Sequence, residues 1–420
     1  MKLKLLTVAV LVLSVPAIAQ NQNKQADSLR ARAIHKNLLT LDAHIDLRSD
    51  FNAVGNEAGK ETIDQLDLPK LERGELDVAT IALFADPLKR SPENIVLARK
   101  QVDNKLASVK QWVTKHPDRL EFAYTSQDLE RIPAKGKHAI LLSFLNALSL
   151  GQDLTLIEKY YKEGVRVFGF THVGNNDWAD SSRPNAAFGD KPNENKGLTD
   201  LGKKGINELN RLGIIIDVSQ LTPAGVFQAI QLSKAPVIAS HSAVYGRVEN
   251  SRNLTNEELK AIAASGGVVH IAAFTPYLRQ NSEFTKAYLK QVWEPFGITY
   301  GKDDPRQKLD AATYQKHLDA YREFSRNEWR YSHLTDYLDA VDYAVRLIGI
   351  DHVGFGSDFN HGGGVTGFNS VAEAPNVTRE LLKRGYTEEE IRKLWGGNFL
   401  RVFKEVEAVA KQQQIKVALN

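Results

Sequence analysis

The segment Gly164-Val165-Arg166-Val167-Phe168-Gly169-Phe170-Thr171-His172 decides how the chain folds. It follows a helical pattern from Asp153 to Tyr161, with Gly164 in the position of a C-terminal cap. Residues 165–171 are nearly continuous in apolar character and end in a threonine and a histidine. That combination suits a parallel strand buried on both faces, with polar side chains offered at its carboxyl end.

The same unit recurs along the chain. Comparable runs lie at residues 38–45, 78–84, 138–144, 214–218, 236–240, 267–272 and 352–357. Amphipathic stretches separate them. One runs from Thr199 to Leu212 and stops at Gly213. Thr255 with Glu258, and Thr387 with Glu390, have the spacing of capping boxes, in which each side chain satisfies a free backbone N–H. Eight strands alternating with helices predict a closed (β/α)8 barrel of the TIM type, class α/β. An open doubly wound sheet is the alternative, and the lack of a glycine-rich fingerprint after the first run weakens it.

Length and composition agree. At 420 residues, 42% hydrophobic and 25% charged, the chain can bury a large core and is not disordered as a whole. Its net charge of +3 and lack of a basic block give no electrostatic footprint for nucleic acid. With no cysteine, disulfides, zinc ribbons and thiol nucleophiles are excluded.

Lys2 and Lys4 precede an apolar run from Leu5 to Val15, and Ala17-Ile18-Ala19 fits a cleavage site. Residues 1–19 are therefore read as a signal peptide for the general secretory route, with a periplasmic or secreted destination. No integral membrane span is expected, because the run is too short. Residues 20–409 are read as one barrel domain, 275–333 as a helical insertion between the seventh and eighth strands, and 410–420 as a tail.

In such barrels the loops after the strands build the active site. The first run ends in His44-Ile45-Asp46, whose two polar side chains share one face of a strand. The fourth ends in Thr171-His172, the sixth in Ser240-His241-Ser242 and the eighth in Ser357-Asp358. Three histidines and two aspartates at one rim make a metal hydrolase constellation. A divalent ion lowers the pKa of a bound water to about 7 and polarises a carbonyl, and an aspartate can then carry the proton. Arg252 has the two-pronged guanidinium that clamps carboxylates.

These stretches resemble the membrane (renal) dipeptidase family of zinc metallopeptidases, in its exported bacterial branch. The resemblance covers about Leu41 to Phe403. It rests on Leu41-Asp42-Ala43-His44-Ile45-Asp46-Leu47, Trp178-Ala179-Asp180, Gly197-Leu198-Thr199 and Asn210-Arg211-Leu212-Gly213. Ser233 to Ser242, Arg252-Asn253-Leu254-Thr255, Asp351 to Phe359 and Leu394-Trp395-Gly396-Gly397-Asn398 complete it. It implies a two-zinc barrel that cleaves dipeptides. It further implies His44, Asp46, His241 and Asp358 as metal ligands, with Asp358 also handling the proton. His172 would steady the tetrahedral intermediate, and Arg252 with Asn253 would hold the substrate. A homodimer is implied by analogy.

The chain departs from the family where the ions are held. Leu145 stands where a bridging glutamate is expected, and Gln220 replaces a histidine in Asp217-Val218-Ser219-Gln220. Ala340-Val341-Asp342 lacks the histidine usual before strand eight, and Asp358-Phe359-Asn360-His361 replaces Asp-Phe-Asp-Gly. A leucine has no lone pair, and one imidazole cannot hold zinc alone. Two ions on Asp46 and Asp358 would also leave about two uncompensated charges. The sequence thus predicts one zinc ion or none, and His361 is a candidate substitute ligand. Two functions follow. The first is a one-metal dipeptidase-like hydrolase; the alternative is a catalytically impaired binding or accessory protein.

The remaining histidines are read as structural. His35 and His116, each next to a lysine, are expected at the surface. His138 and His270 are expected to pack within strands, and His352 just before one. His317 and His333 belong to the insertion. Trp178 and Trp395 are expected to pack.

Overall fold

The computed structural model describes residues 28–418 apart from 281, 301 and 326. The expected leader, 1–19, lies outside the described residues. Among the described residues ten strands form: β1 (Leu41–Asp46), β2 (Val78–Phe84), β3 (Leu120–Ala123), β4 (His138–Leu145), β5 (Val165–Gly169), β6 (Ile215–Asp217), β7 (Ile238–Val244), β8 (Asn253–Leu254), β9 (Val268–Ile271) and β10 (Val353–Phe355). Eight of them run in parallel in the order β1-β2-β4-β5-β6-β7-β9-β10. The ring closes just beyond β10. Ile45 there pairs in parallel with Phe359, and the Asp358 amide donates to the His44 carbonyl at 3.1 Å. This is a (β/α)8 barrel, and each of its strands overlaps one of the eight apolar runs.

Alternate residues of one strand pack into different clusters, as strand geometry requires. Ala79, Ile81 and Leu83 of β2 join the large cluster that includes the surrounding helices. Val78 packs with Leu41, Ala139, Leu141, Val167, Ile215, Ile238 and Val268. These residues lie toward the amino ends of their strands. Phe399, Val402, Phe403 and Val406, from the helix Asn398–Ala418, belong to the same cluster and close that end of the barrel. The opposite, carboxyl end is left for chemistry.

Both capping boxes form, at Thr255/Glu258 and Thr387/Glu390. Gly213 caps the helix Asp200–Leu212 at φ 78°, a left-handed conformation in which glycine has no Cβ penalty. Between β9 and the helix Leu334–Ile348 the chain forms further helices, among them Ala311–Ser325, around an apolar cluster of Phe284, Val292 and Phe324. Arg306 of this segment donates to the Pro87 carbonyl just past β2 and to the Tyr314 hydroxyl at 2.9 Å. The segment therefore reaches across the carboxyl rim.

Three features differ from the sequence expectations. Residues 410–418 are not a tail. They continue the last helix to Ala418, and Gln414 Nε2 donates to the Arg211 carbonyl at 3.3 Å. The short strand β3, which pairs with β4 outside the ring, was not anticipated. His35 is fully buried rather than exposed. It shares a helix face with Ala31, Ile34 and Leu38, and that periodicity outweighs the neighbouring Lys36. His138, His270, His317 and His352 each place Nδ1 against a backbone carbonyl, at 2.7–3.0 Å. Trp178 and Trp395 are buried in the core.

Candidate metal and substrate site

The barrel delivers its polar side chains to one rim. His44 and Asp46 project from the end of β1, past an irregularity in pairing between Asp42 and Ile45. Leu145 is the last residue of β4, and His241 lies within β7. His172, Gln220 and Asp358 each sit three residues beyond a strand, after β5, β6 and β10. Gln220 and Asp358 have φ of +72° and +62°, in a region that non-glycine residues enter at a cost of about 1–3 kcal/mol.

His44, Asp46 and Asp358 bring ligand atoms within 4.8 Å of one another, and all three are buried. His44 Nε2 and Asp46 Oδ1 have no hydrogen-bond partner among the described residues. Asp46 Oδ2 lies 3.5 Å from His44 Nε2, and His361 Nδ1 lies 3.5 Å from the same oxygen. These distances are long for hydrogen bonds. Buried polar atoms of this kind need a partner, and a divalent ion satisfies a nitrogen and two carboxylates at once. These three residues therefore fit a divalent metal ion.

His241 falls into a different group, with His44 and Asp217. Ser240 Oγ occupies the middle of that group. It lies 2.5 Å from Asp217 Oδ2, 2.7 Å from His241 Nδ1 and 3.4 Å from His44 Nδ1. The Ser240 hydroxyl hydrogen-bonds Asp217 to His241 within this group, whose ligand atoms also lie within 4.8 Å of one another. The other nitrogen of His241 meets Gln220 Nε2 at 3.0 Å. Leu145, at the bridging position, packs with Ala82 and Phe84. The four expected ligands are thus split, with three around one point and His241 beside it.

Cations surround the carboxylates. Arg183 Nη2 donates to Gln220 Oε1 at 2.7 Å. Arg252 Nη2 donates to the His241 carbonyl at 2.9 Å, its guanidinium lies over Tyr277, and its Nε has no partner among the described residues. Lys105 lies over the Phe84 ring, and its charge bears on Asp46. Phe84 in turn holds His172 and His361, with ring centroids at 4.3 and 5.2 Å.

Electrostatics separates the two carboxylates. Burial pushes Asp358 up to about 7, reinforced by the charge of Asp46 and opposed by His44, Arg252 and Arg183. Burial acts on Asp46 in the same direction, but His361 and His44 hold it down at about 2. Burial, with the charges of Arg183, His361 and Arg252, keeps His172 well below the ordinary imidazole value, so it is neutral.

A cavity of about 340 Å³ shares Gln220 and Arg252 with this rim and is lined also by Tyr245, Asn253, Thr255 and Glu258, but not by His44, Asp46, His172, His241 or Asp358. Asn253 Nδ2 donates to the carbonyls of Val248 and Tyr277, both at 2.9 Å, while its Oδ1 is buried without a partner among the described residues.

Sequence reasoning did not single out Lys105, Phe84, Arg183, Asp217 or Ser240. Asp217 ends β6, the same signal that marked the others, and Ser240 precedes His241 within β7. Arg183 lies in an irregular loop, and Lys105 lies on a long helix rich in charges, so neither carries a readable pattern.

A parallel barrel with imidazoles and carboxylates gathered at the carboxyl ends of its strands defines a metal-dependent hydrolase scaffold. The family model for membrane dipeptidase (peptidase family M19) matches residues 28–417, and the chain belongs to this family. It is similar to the probable dipeptidase PvdM from Pseudomonas aeruginosa, with 40% identity and a TM-score of 0.83 over 92% of this chain and all of that one. It is 27% identical to dipeptidase aclJ of Aspergillus oryzae over 84% of this chain and 72% of that protein. It is 29% identical to dipeptidase tcpJ of Claviceps purpurea over 71% of this chain, spanning 58% of the length of that protein. Among the described residues no helix is long and apolar enough to cross a membrane.

Proposed function

We propose that the chain hydrolyses the amide bond of dipeptides using one zinc ion on His44, Asp46 and Asp358. The observation that carries this reading is the pair of buried, unpartnered atoms His44 Nε2 and Asp46 Oδ1 beside the Asp358 carboxylate. The ion would supply Lewis-acid activation.

The chain's own residues do the rest. Arg252 offers free N–H donors to a substrate carboxylate at the edge of the cavity, and Asn253 flanks it. Asp358 is the proton carrier by its resemblance to the family's aspartate at this position. Neutral His172 can donate a hydrogen bond to developing negative charge. Export by the general secretory route completes the reading, and the mature chain should begin at Gln20.

One observation favours a second reading, a dipeptide-binding protein without turnover. Lys105, Arg183 and Arg252 already face Asp46, Asp217 and Asp358, so the charges balance without an ion. The test is dipeptide turnover by the mature chain with and without zinc. The hydrolase reading expects zinc-dependent cleavage that falls about 100-fold in His172→Ala with zinc content unchanged. Tight dipeptide binding with no cleavage at any zinc level would establish the second reading instead.

A further inference from the structure

The side chains around His241 form a hydrogen-bond chain with a defined direction. A guanidinium has donors only, so the oxygen of the Gln220 carboxamide must face Arg183, as the 2.7 Å contact shows. The Gln220 amide nitrogen must then face His241, and it donates to Nε2 at 3.0 Å. His241 Nε2 is therefore the bare nitrogen, and the ring proton sits on Nδ1. Nδ1–H donates to Ser240 Oγ at 2.7 Å, and the Ser240 proton goes to Asp217 Oδ2 at 2.5 Å. Asp217 Oδ1 accepts from the amides of Ser219 and Ser240, both at 2.9 Å. From Arg183 Nη2 to Asp217 each link pairs a donor with an acceptor, while Arg183 Nε has no partner among the described residues.

An imidazole binds a metal only through a bare nitrogen, with the other N–H held by an acceptor. Nδ1 of His241 is held in that way, but its single available lone pair is taken by Gln220. The amide cannot simply rotate away. Flipping it would set its NH2 against the guanidinium and its oxygen against the bare nitrogen, two repulsive contacts. The backbone of Gln220 is fixed as well, since its carbonyl accepts from Thr171 Oγ1 at 2.9 Å and from the Ser182 amide at 2.8 Å.

We propose that Arg183 is the positioning residue that closes the second ion's place. Its guanidinium orients Gln220 so that the amide caps His241, and it brings a fixed positive charge to the side of the site where a second cation would sit. His241 is thereby a locked, neutral hydrogen-bonding residue. The inference deepens the one-ion reading, on which it rests only for the number of ions.

The test is long-range proton–nitrogen NMR of the mature chain with 15N-labelled histidine, without metal and then with added zinc. In the wild type, His241 shows one tautomer, with the proton on Nδ1, and its Nε2 resonance does not move with zinc. In Arg183→Ala and in Gln220→Ala the cap is released, so Nε2 shifts with zinc, while Ser240 still holds the proton on Nδ1. Arg183→Lys keeps a cation and a donor to Gln220 Oε1, so it retains the wild-type spectrum. A wild-type Nε2 resonance that moves with zinc would overturn the proposal. So would an Arg183→Ala spectrum identical to wild type. A wild type that binds no zinc yet keeps a single His241 tautomer would defeat only the one-ion reading.

Discussion

The rings of His44 and His241 stack with centroids 3.7 Å apart and planes 20° from parallel, yet their nitrogens serve different partners. His44 turns Nε2 toward Asp46, whereas His241 spends both nitrogens on Gln220 and Ser240. Two adjacent imidazoles therefore divide the rim into a half with unpartnered ligand atoms and a hydrogen-bonded half.

Restoring the missing ligands should restore the second ion. Leu145→Glu with Gln220→His supplies a carboxylate and an imidazole beside His241. The zinc count should rise from one to two per chain, while Gln220→His alone stays at one. Without added zinc, Leu145→Glu places a carboxylate against Ala82 and Phe84 and should cost about 3 kcal/mol of stability. Metal analysis and denaturant unfolding of the same samples check both statements.

Ser240→Ala removes the shared hydroxyl between Asp217 and His241. A buried N–H and a buried carboxylate oxygen lose their partners, which should cost about 2 kcal/mol in urea unfolding. Zinc affinity should fall by less than in Asp46→Ala, because Ser240 reaches the ligand set only through a 3.4 Å contact with His44 Nδ1.

Arg252→Ala tests substrate recognition. Loss of a charge-assisted pair is worth about 1.5–3 kcal/mol, so KM should rise about 10- to 100-fold with a smaller change in kcat. Arg252→Lys should recover only part of the loss, since an ammonium lacks the planar fork. Steady-state kinetics on a zinc-dependent dipeptide substrate decide it.

His35 sets a pH dependence of stability. Burial, opposed by its bond to the Gly74 carbonyl, lowers its pKa to about 4. Nε2–H donates to that carbonyl at 3.0 Å, so Nδ1 accepts from Thr378 Oγ1 at 2.7 Å, and Trp395 Nε1 donates to the same hydroxyl at 2.8 Å. An unfolded histidine titrates near 6.5, so the unfolded chain takes up the proton first as pH falls. The contribution is complete above about pH 6.5 and is lost toward pH 4, a total of about 3 kcal/mol. Asp42 and Asp77, raised to about 6 by burial, slope the other way, so the comparison is wild type against His35→Gln. The difference in unfolding free energy between the two should shrink by about that amount on acidification.

The barrel was legible because its strands are buried on both faces, which writes them as unbroken apolar runs. β3 was not, because Leu120-Glu121-Phe122-Ala123 is short, alternates, and pairs only on its β4 side. His44, Asp46, His172, Gln220, His241 and Asp358 could be placed because each stands at or just past the end of such a run. Arg183 could not, since an irregular loop carries no period to aim a side chain. His35 is buried because it shares the apolar spacing of Ala31, Ile34 and Leu38, which the neighbouring Lys36 masks. The division between His44 and His241 depends on which amide end faces an arginine far along the chain, and no local pattern encodes that.

The central claim is that His44, Asp46 and Asp358 hold a single ion while His241 stands aside. Zinc content of the purified mature chain, measured after loading and desalting, tests it most directly. The account predicts one zinc per chain, lost in Asp46→Ala and retained in His241→Ala. Two tightly held ions in the wild type, or loss of zinc in His241→Ala alone, would contradict it.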